Sequence, residues 1–227
     1  MELDSTYYDH LFEKGGSDGT YHLPYRHSHY FPLYRAIKKE LRAVSYPQIL
    51  EIGCGNGALA HYLFDSGLRD YLGFDFSPVA VKQAISRTGR LDSFFVGNAL
   101  DKKSYYANYP YNTAICTEVL EHIEADLRAI SYWKSGSFCI CSVPNFDSVS
   151  HVRYFRKEAD IYKRYDHLIR IESIRRIKVP QLSDISFTNR LRHLIWNRYR
   201  PRRFLELLGI SNFSKVGGWF LFSGFKK

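Results

Sequence analysis

Three glycines in five residues, Gly53, Gly55 and Gly57, follow the apolar run QILEI and precede a stretch with helical spacing of its apolar residues. Glycine lets the chain turn sharply and lets a ligand approach where a Cβ would collide, and the free N–H groups at the start of the next helix attract polar, phosphate-like groups. A nucleotide-like cofactor suits that chemistry. About twenty residues further on, at the end of the run YLGFDF, Asp75 is placed to accept hydrogen bonds from ribose hydroxyls. The loop alone leaves the cofactor open, because Gly53, Gly55 and Ala58 also satisfy the dinucleotide pattern GxGxx(G/A), which admits NAD.

A second group of reactive side chains is Thr117-Glu118-Val119-Leu120-Glu121-His122, directly after the apolar run TAIC. Ligands of open α/β sheets bind at the carboxyl ends of parallel strands, so this group belongs near the glycine loop. Glu118 can cap a helix or orient the cofactor, with Glu121 and His122 as supporting polar residues. Alternatively Glu121 or His122 is a general base that takes a proton from a hydroxyl or amine. The lead segment adds Tyr21, His22, Tyr25, Arg26, His29 and Tyr30, whose rings could close over a site and exclude water, or which could pack on the first helix.

These residues need a scaffold, and the order of periodicities supplies one. PLYRAIKKELRAV reads as a helix, QILEIG as a buried strand, GALAHYLFDSGL as a helix ending near Gly67, and YLGFDF as a second strand. Ser77-Pro78 marks an N-cap and first turn for VAVKQAISR. SFFVGNA, TAICTEV and SFCICSVP are later strands, with EADLRAIS helical before the last. That alternation predicts a Rossmann-like three-layer α/β sandwich with a mostly parallel seven-stranded sheet and right-handed crossovers. RRFLELLGI reads as a helix, and FSKVGG and WFLFSGFKK as a C-terminal antiparallel hairpin turning at Gly217-Gly218. We expect one domain over 1–227, with 1–45 as a lid and helix and 146–203 as an inserted acceptor-binding segment; Asn112 is expected to be a strand-end cap.

With 45% hydrophobic and 24% charged residues, and no apolar run near the roughly 20 residues that span a bilayer, the composition is that of a globular chain without a membrane span. The N-terminus has acids and aromatics in place of a basic and then apolar leader, so a cytoplasmic location is expected. Cys54, Cys116, Cys139 and Cys141 lack zinc-type spacing and read as reduced, mostly buried thiols. The net charge of +9 is concentrated in 151–203, which could meet phosphate, although interleaved Ile169, Ile171, Ile174, Ile177 and Val179 point to a packed wall.

Taken together, EIGCGNG resembles the first motif of class I S-adenosylmethionine-dependent methyltransferases, GFDFSPVAV their second, VGNALD the strand beside the adenine, and AICTEVLEHI the fourth motif of their small-molecule branch. The resemblance covers roughly residues 45–145 and the final strands. Glu51 two residues before the first glycine, and Gly57 as the third, favour S-adenosylmethionine over NAD. The resemblance implies cofactor contacts at Glu51, Gly53, Gly55, Gly57, Asp75, Phe76, Asn98, Ala99, Thr117 and Glu118; from the lead segment itself, Arg26 could meet the methionine carboxylate if that segment closes over the site. The family more often has aspartate where Asn98 and Asn112 stand; an amide at 98 can still bond adenine. ExxEH is also similar to the small-RNA 3′-terminal ribose methyltransferases, where such a cluster binds metal with a later histidine, here His167. The expectation is methyl transfer to an oxygen or nitrogen of a small metabolite, a phosphorylated or otherwise acidic one among the options, with Glu121 and His122 catalytic and no metal. RNA methylation and a non-catalytic cofactor-binding module remain the alternatives, with an NAD oxidoreductase behind them.

Overall fold

The computed structural model describes residues 2–16, 19–102, 106, 108–178, 194–195, 198–199 and 217–227. Four short apolar runs form the parallel centre, β1 (Ile49–Ile52), β2 (Tyr71–Asp75), β4 (Thr113–Thr117) and β5 (Phe138–Pro144), with β3 (Phe94–Val96) at one edge. Burial on both faces explains why these runs are continuously apolar and do not alternate. The full order is β3-β2-β1-β4-β5-β7-β6, where β7 (Gly218–Lys226) runs antiparallel to both β5 and β6 (Ile169–Lys178). The seven-stranded, mostly parallel sandwich is as expected.

One face of the sheet packs Ile49, Ile115, Ile140 and Leu221 against α2 (Phe31–Glu40), α3 (Ala58–Asp65) and α4 (Pro78–Thr88). The other packs Leu50, Ala114, Cys116, Cys139, Cys141 and Phe222 against α5 (Asp126–Ser131) and α6 (Glu158–Tyr165). All four cysteines are buried free thiols. Ser77 caps α4 as read from sequence, its Oγ accepting from the Ala80 N–H at 3.1 Å. Asn112 ties β4 to β1, its Oδ1 accepting from Gln48 N and its Nδ2 donating to Tyr46 O, each at 2.9 Å.

Three differences from the sequence reading stand out. The lead segment contains a helix, α1 (Ser5–Glu13), capped by Asp4. Both edges of β7 are taken, by β5 and β6, so its antiparallel partner is Ile169–Lys178 and not FSKVGG; residues 213–216, like the RRFLELLGI helix, lie outside the described residues. Within 146–178, α6 and β6 are part of the sandwich, and only 146–151 reach the cavity described below. No helix among the described residues is long and apolar enough to cross a membrane.

Candidate active site

The strand order reverses between β1 and β4, and the crevice at their carboxyl ends opens into a cavity of about 1710 Å³. Gly53 and Gly55 form its floor, both at positive φ. Gly57, also at positive φ, is not on the cavity: a Cβ there would lie 2.8 Å from Ala84 Cβ and 2.9 Å from its Cα. Its expected cofactor contact is therefore corrected to a packing role, the close approach of α3 and α4.

Asp75 ends β2 with its carboxylate turned to the loop, Oδ2 accepting from Gly55 N at 2.9 Å and Oδ1 from Ser77 N at 3.0 Å. Each oxygen keeps a lone pair for another donor. Burial pushes its pKa up to about 6, against the pull of those N–H groups and with the help of Asp9. Asp9 lies on α1 and latches it down, its Oδ1 accepting from Ser77 Oγ at 2.5 Å and Val79 N at 3.3 Å. Glu51 accepts from the Tyr71 hydroxyl at 2.5 Å, and burial raises its pKa to about 8. Phe76, Asn98, Ala99, Thr117 and Glu118 complete this half of the lining. Arg26 does not join them. It is exposed, beside Tyr25, whose hydroxyl takes its Nε at 3.1 Å and donates to Asp65; Arg26, Tyr25 and His22 are off the cavity, whereas Tyr21, His29 and Tyr30 line it.

At the far end, Glu118 has φ +59°, a left-handed conformation that a non-glycine residue adopts only when its surroundings enforce it. Ser142 Oγ and Trp219 Nε1 do so, donating to its two carboxylate oxygens at 2.9 and 2.6 Å. Burial lifts its pKa to about 7, against these two donors. Beyond it the chain turns back, so that Glu121 is fully buried with His122 Nε2 3.7 Å from its Oε1. His122 Nδ1 donates to Ser150 O at 2.8 Å, and burial lowers this imidazole to about 4. His151 completes the group, its ring 5.0 Å from that of His122 and its Nδ1 donating to Phe146 O at 3.1 Å. Val152 N donates to Glu121 O at 2.8 Å, and the Arg153 guanidinium donates to the carbonyls of Leu120, Ile123 and Glu124. These bonds fasten the 118–124 loop to the 146–153 loop.

His167, the histidine anticipated for a metal set, cannot take part. It precedes Ile169, which pairs with Lys226 beside the start of β5, and so sits exposed at the opposite end of the sheet. His151, Tyr8, Asp9, Arg153 and Trp219 were not anticipated; His151 alone carried a signal, a histidine shortly after the strand SVP.

Residues 13–208 match a family described as a methyltransferase domain. The chain belongs to that family. No curated protein matches the sequence of this methyltransferase domain. Among solved structures it is similar to a Haloferax volcanii methyltransferase in complex with the Trm112 activator, with TM-score 0.61 and 18% identity over 96% of this chain and 97% of that one. It is also similar to magnesium protoporphyrin IX methyltransferase of Synechocystis PCC 6803 with bound S-adenosylmethionine (TM-score 0.57, 16% identity, 99% and 98% covered). The methyltransferase domain of bacterial CtHen1 follows at 0.55 and 17%, with 88% and 100% covered. At these identities the likeness is one of fold, and it agrees with the class I family expected from the motifs.

Proposed function

We propose that this methyltransferase domain binds S-adenosylmethionine against Gly53, Gly55 and Asp75 and transfers its methyl group to an oxygen or nitrogen of a small acceptor held at the Glu118–His122 end. The observation that carries this reading is one cavity with two furnished ends. Its volume exceeds the roughly 300–1,000 Å³ of an ordinary ligand pocket and leaves room for two ligands in contact.

The residues divide the work. Asp75 takes ribose hydroxyls on its remaining lone pairs, the exposed Asn98 amide faces the adenine beside Ala99, and Glu51, Thr117 and Glu118 border the methionine side. Bound S-adenosylmethionine supplies an activated methyl on a sulfonium, so most of the acceleration comes from holding the acceptor in line with it. Because its Nδ1 proton is committed to Ser150 O, His122 presents an unprotonated Nε2 to the cavity, ready to take the acceptor's proton. Glu121 lies 3.7 Å from that Nε2, and burial and Glu118 hold it well above the usual carboxylate range, so it favours the neutral acid and leaves His122 as the base.

The lining does not favour the acidic option among the acceptors. Glu2, Asp4, Glu51, Asp75, Glu118 and Asp147 border the cavity, and no lysine or arginine does among the described residues. A neutral or cationic acceptor fits such a field better. Calorimetry with S-adenosylhomocysteine and with NAD tests the cofactor, and tritiated S-adenosylmethionine offered with phenols, alcohols, amines and phosphorylated metabolites tests the acceptor. We expect homocysteine-cofactor binding and label in an uncharged or amine-bearing compound. NAD binding alone, or transfer confined to phosphorylated compounds, would overturn the reading.

A further inference from the structure

Glu121 is wholly inaccessible to solvent, and neither of its carboxylate oxygens has a hydrogen-bond partner. An unsatisfied buried carboxylate is costly, so such a group either keeps a proton or faces a cation. What surrounds it decides between these. Beside it stand two imidazoles whose Nδ1 atoms each face a backbone carbonyl, Ser150 O for His122 and Phe146 O for His151. A carbonyl only accepts, so both Nδ1 atoms carry the hydrogen and both Nε2 atoms present lone pairs. Two imidazole lone pairs and an unpartnered carboxyl group therefore converge; a single proton on Glu121 can satisfy only one of those lone pairs, whereas a cation at the centre satisfies all three groups. One ligand atom from each of Glu121, His122 and His151 lies within 4.8 Å of the others. Drawing them onto metal–ligand bonds of about 2.0–2.2 Å needs side-chain shifts on the order of an ångström.

We infer that Glu121, His122 and His151 form a binding site for one divalent transition-metal ion. The carbonyl-anchored imidazoles are the arrangement that fixes ring orientation in metal sites, and here the anchors belong to the loop that Val152 and Arg153 fasten to the Glu121 backbone. Two nitrogens and one oxygen favour zinc, manganese, iron or cobalt over magnesium or calcium, which take oxygen sets. Both histidines line the cavity while Glu121 lies behind them, so a metal's unfilled positions would face the acceptor. The Tyr8 ring packs edge-on to His122 at 5.7 Å and shields the group from α1. This departs from the metal-free reaction expected from sequence, and it takes its second histidine from His151.

The site stands on geometry and does not depend on the cofactor; one consequence does rest on the proposed methyl transfer. The His122 lone pair cannot bind metal and accept a proton at once. With the ion in place, the acceptor would be a hydroxyl compound that the cation acidifies enough to lose its proton to solvent water before the methyl passes from sulfur to the resulting alkoxide, so oxygen would be methylated in preference to nitrogen.

Metal-stripped protein is titrated with Co²⁺, read by its visible d–d absorption and by bound metal per chain, alongside His151→Ala, Glu121→Gln and the exposed-site control His167→Ala. S-adenosylhomocysteine calorimetry on each variant reports separately on the fold and the cofactor half. We expect one Co²⁺ per wild-type chain, displaced by Zn²⁺ and not by Mg²⁺, at least tenfold weaker in His151→Ala and Glu121→Gln, and unchanged in His167→Ala. Absence of stoichiometric Co²⁺ from the wild type, or equal binding in wild type and both ligand variants, would refute the site. Either result holds whether or not the cofactor binds.

Discussion

Asp75 shows how one carboxylate serves both the fold and the proposed chemistry. It closes the glycine loop through Gly55 N and starts α4 through Ser77 N, yet keeps a lone pair on each oxygen. Changing it to alanine should weaken S-adenosylhomocysteine binding by about 1–3 kcal/mol, roughly 5- to 150-fold, in a calorimetric titration. Its pKa, raised by burial to about 6, adds a pH signature. Ribose hydroxyls donate best to the ionised form, so affinity should be full above pH 6 and fall as the pH drops through that value, because protonation fills a lone pair the ligand needs. In Asp75→Asn that fall should vanish. Affinity that is flat from pH 5 to 8 in the wild type would show that Asp75 does not meet the ligand.

At the level of elements, the glycines that look alike in sequence divide by what surrounds them. Gly57 and Gly89 both have positive φ, but a Cβ at 57 collides with Ala84 whereas one at 89 meets nothing within 4 Å. Gly89→Ala should cost only the backbone term, about 1–2 kcal/mol, and Gly57→Ala that term plus about 1–3 kcal/mol of overpacking between α3 and α4. Urea unfolding of the two variants side by side measures the difference; equal losses would mean that α4 simply moves away. The same contrast explains what was legible. β1, β2, β4 and β5 announce themselves as apolar runs, and the glycine loop and Asp75 follow strand ends, so local sequence sufficed. Helix α1 has only a modestly apolar face and is held by distant partners, Asp9 on Ser77 and Phe12 O on Gln83. Contacts of that kind have no local period. His151 and Trp219 enter the site for the same reason, through a loop and a strand folded back from far along the chain, and the pairing of β7 with β6 joins segments some forty residues apart, beyond any local pattern.

For the whole molecule, the excess positive charge and the acidic cavity point in different directions. Among the described residues of the basic segment, Arg153 holds carbonyls and Asp126, Arg164 chelates Asp126, and Arg175 pairs with Glu40. Arginines committed in this way are poor phosphate trackers, so generic structured RNA should bind weakly, with a shallow dependence on salt, and alike in wild type and an Arg175/Arg176 double-alanine variant. Tight binding that falls steeply with salt would revive the RNA alternative; Arg202 and Arg203, which belong to the same charge run, lie outside the described residues. The position of β7 reaches further than packing. The strand made last from this sequence lies inside the sheet, between β5 and β6, and carries the Trp219 that fixes Glu118. During synthesis β6 therefore waits without a sheet neighbour until Gly218–Lys226 has been made, its exposed edge open to mispairing. A ribosome-stalled chain lacking that strand should be protease-sensitive over Ile169–Lys178 and unable to hold its acceptor end in shape, so the proposed catalyst would not come into being before residues 218–226 have been made.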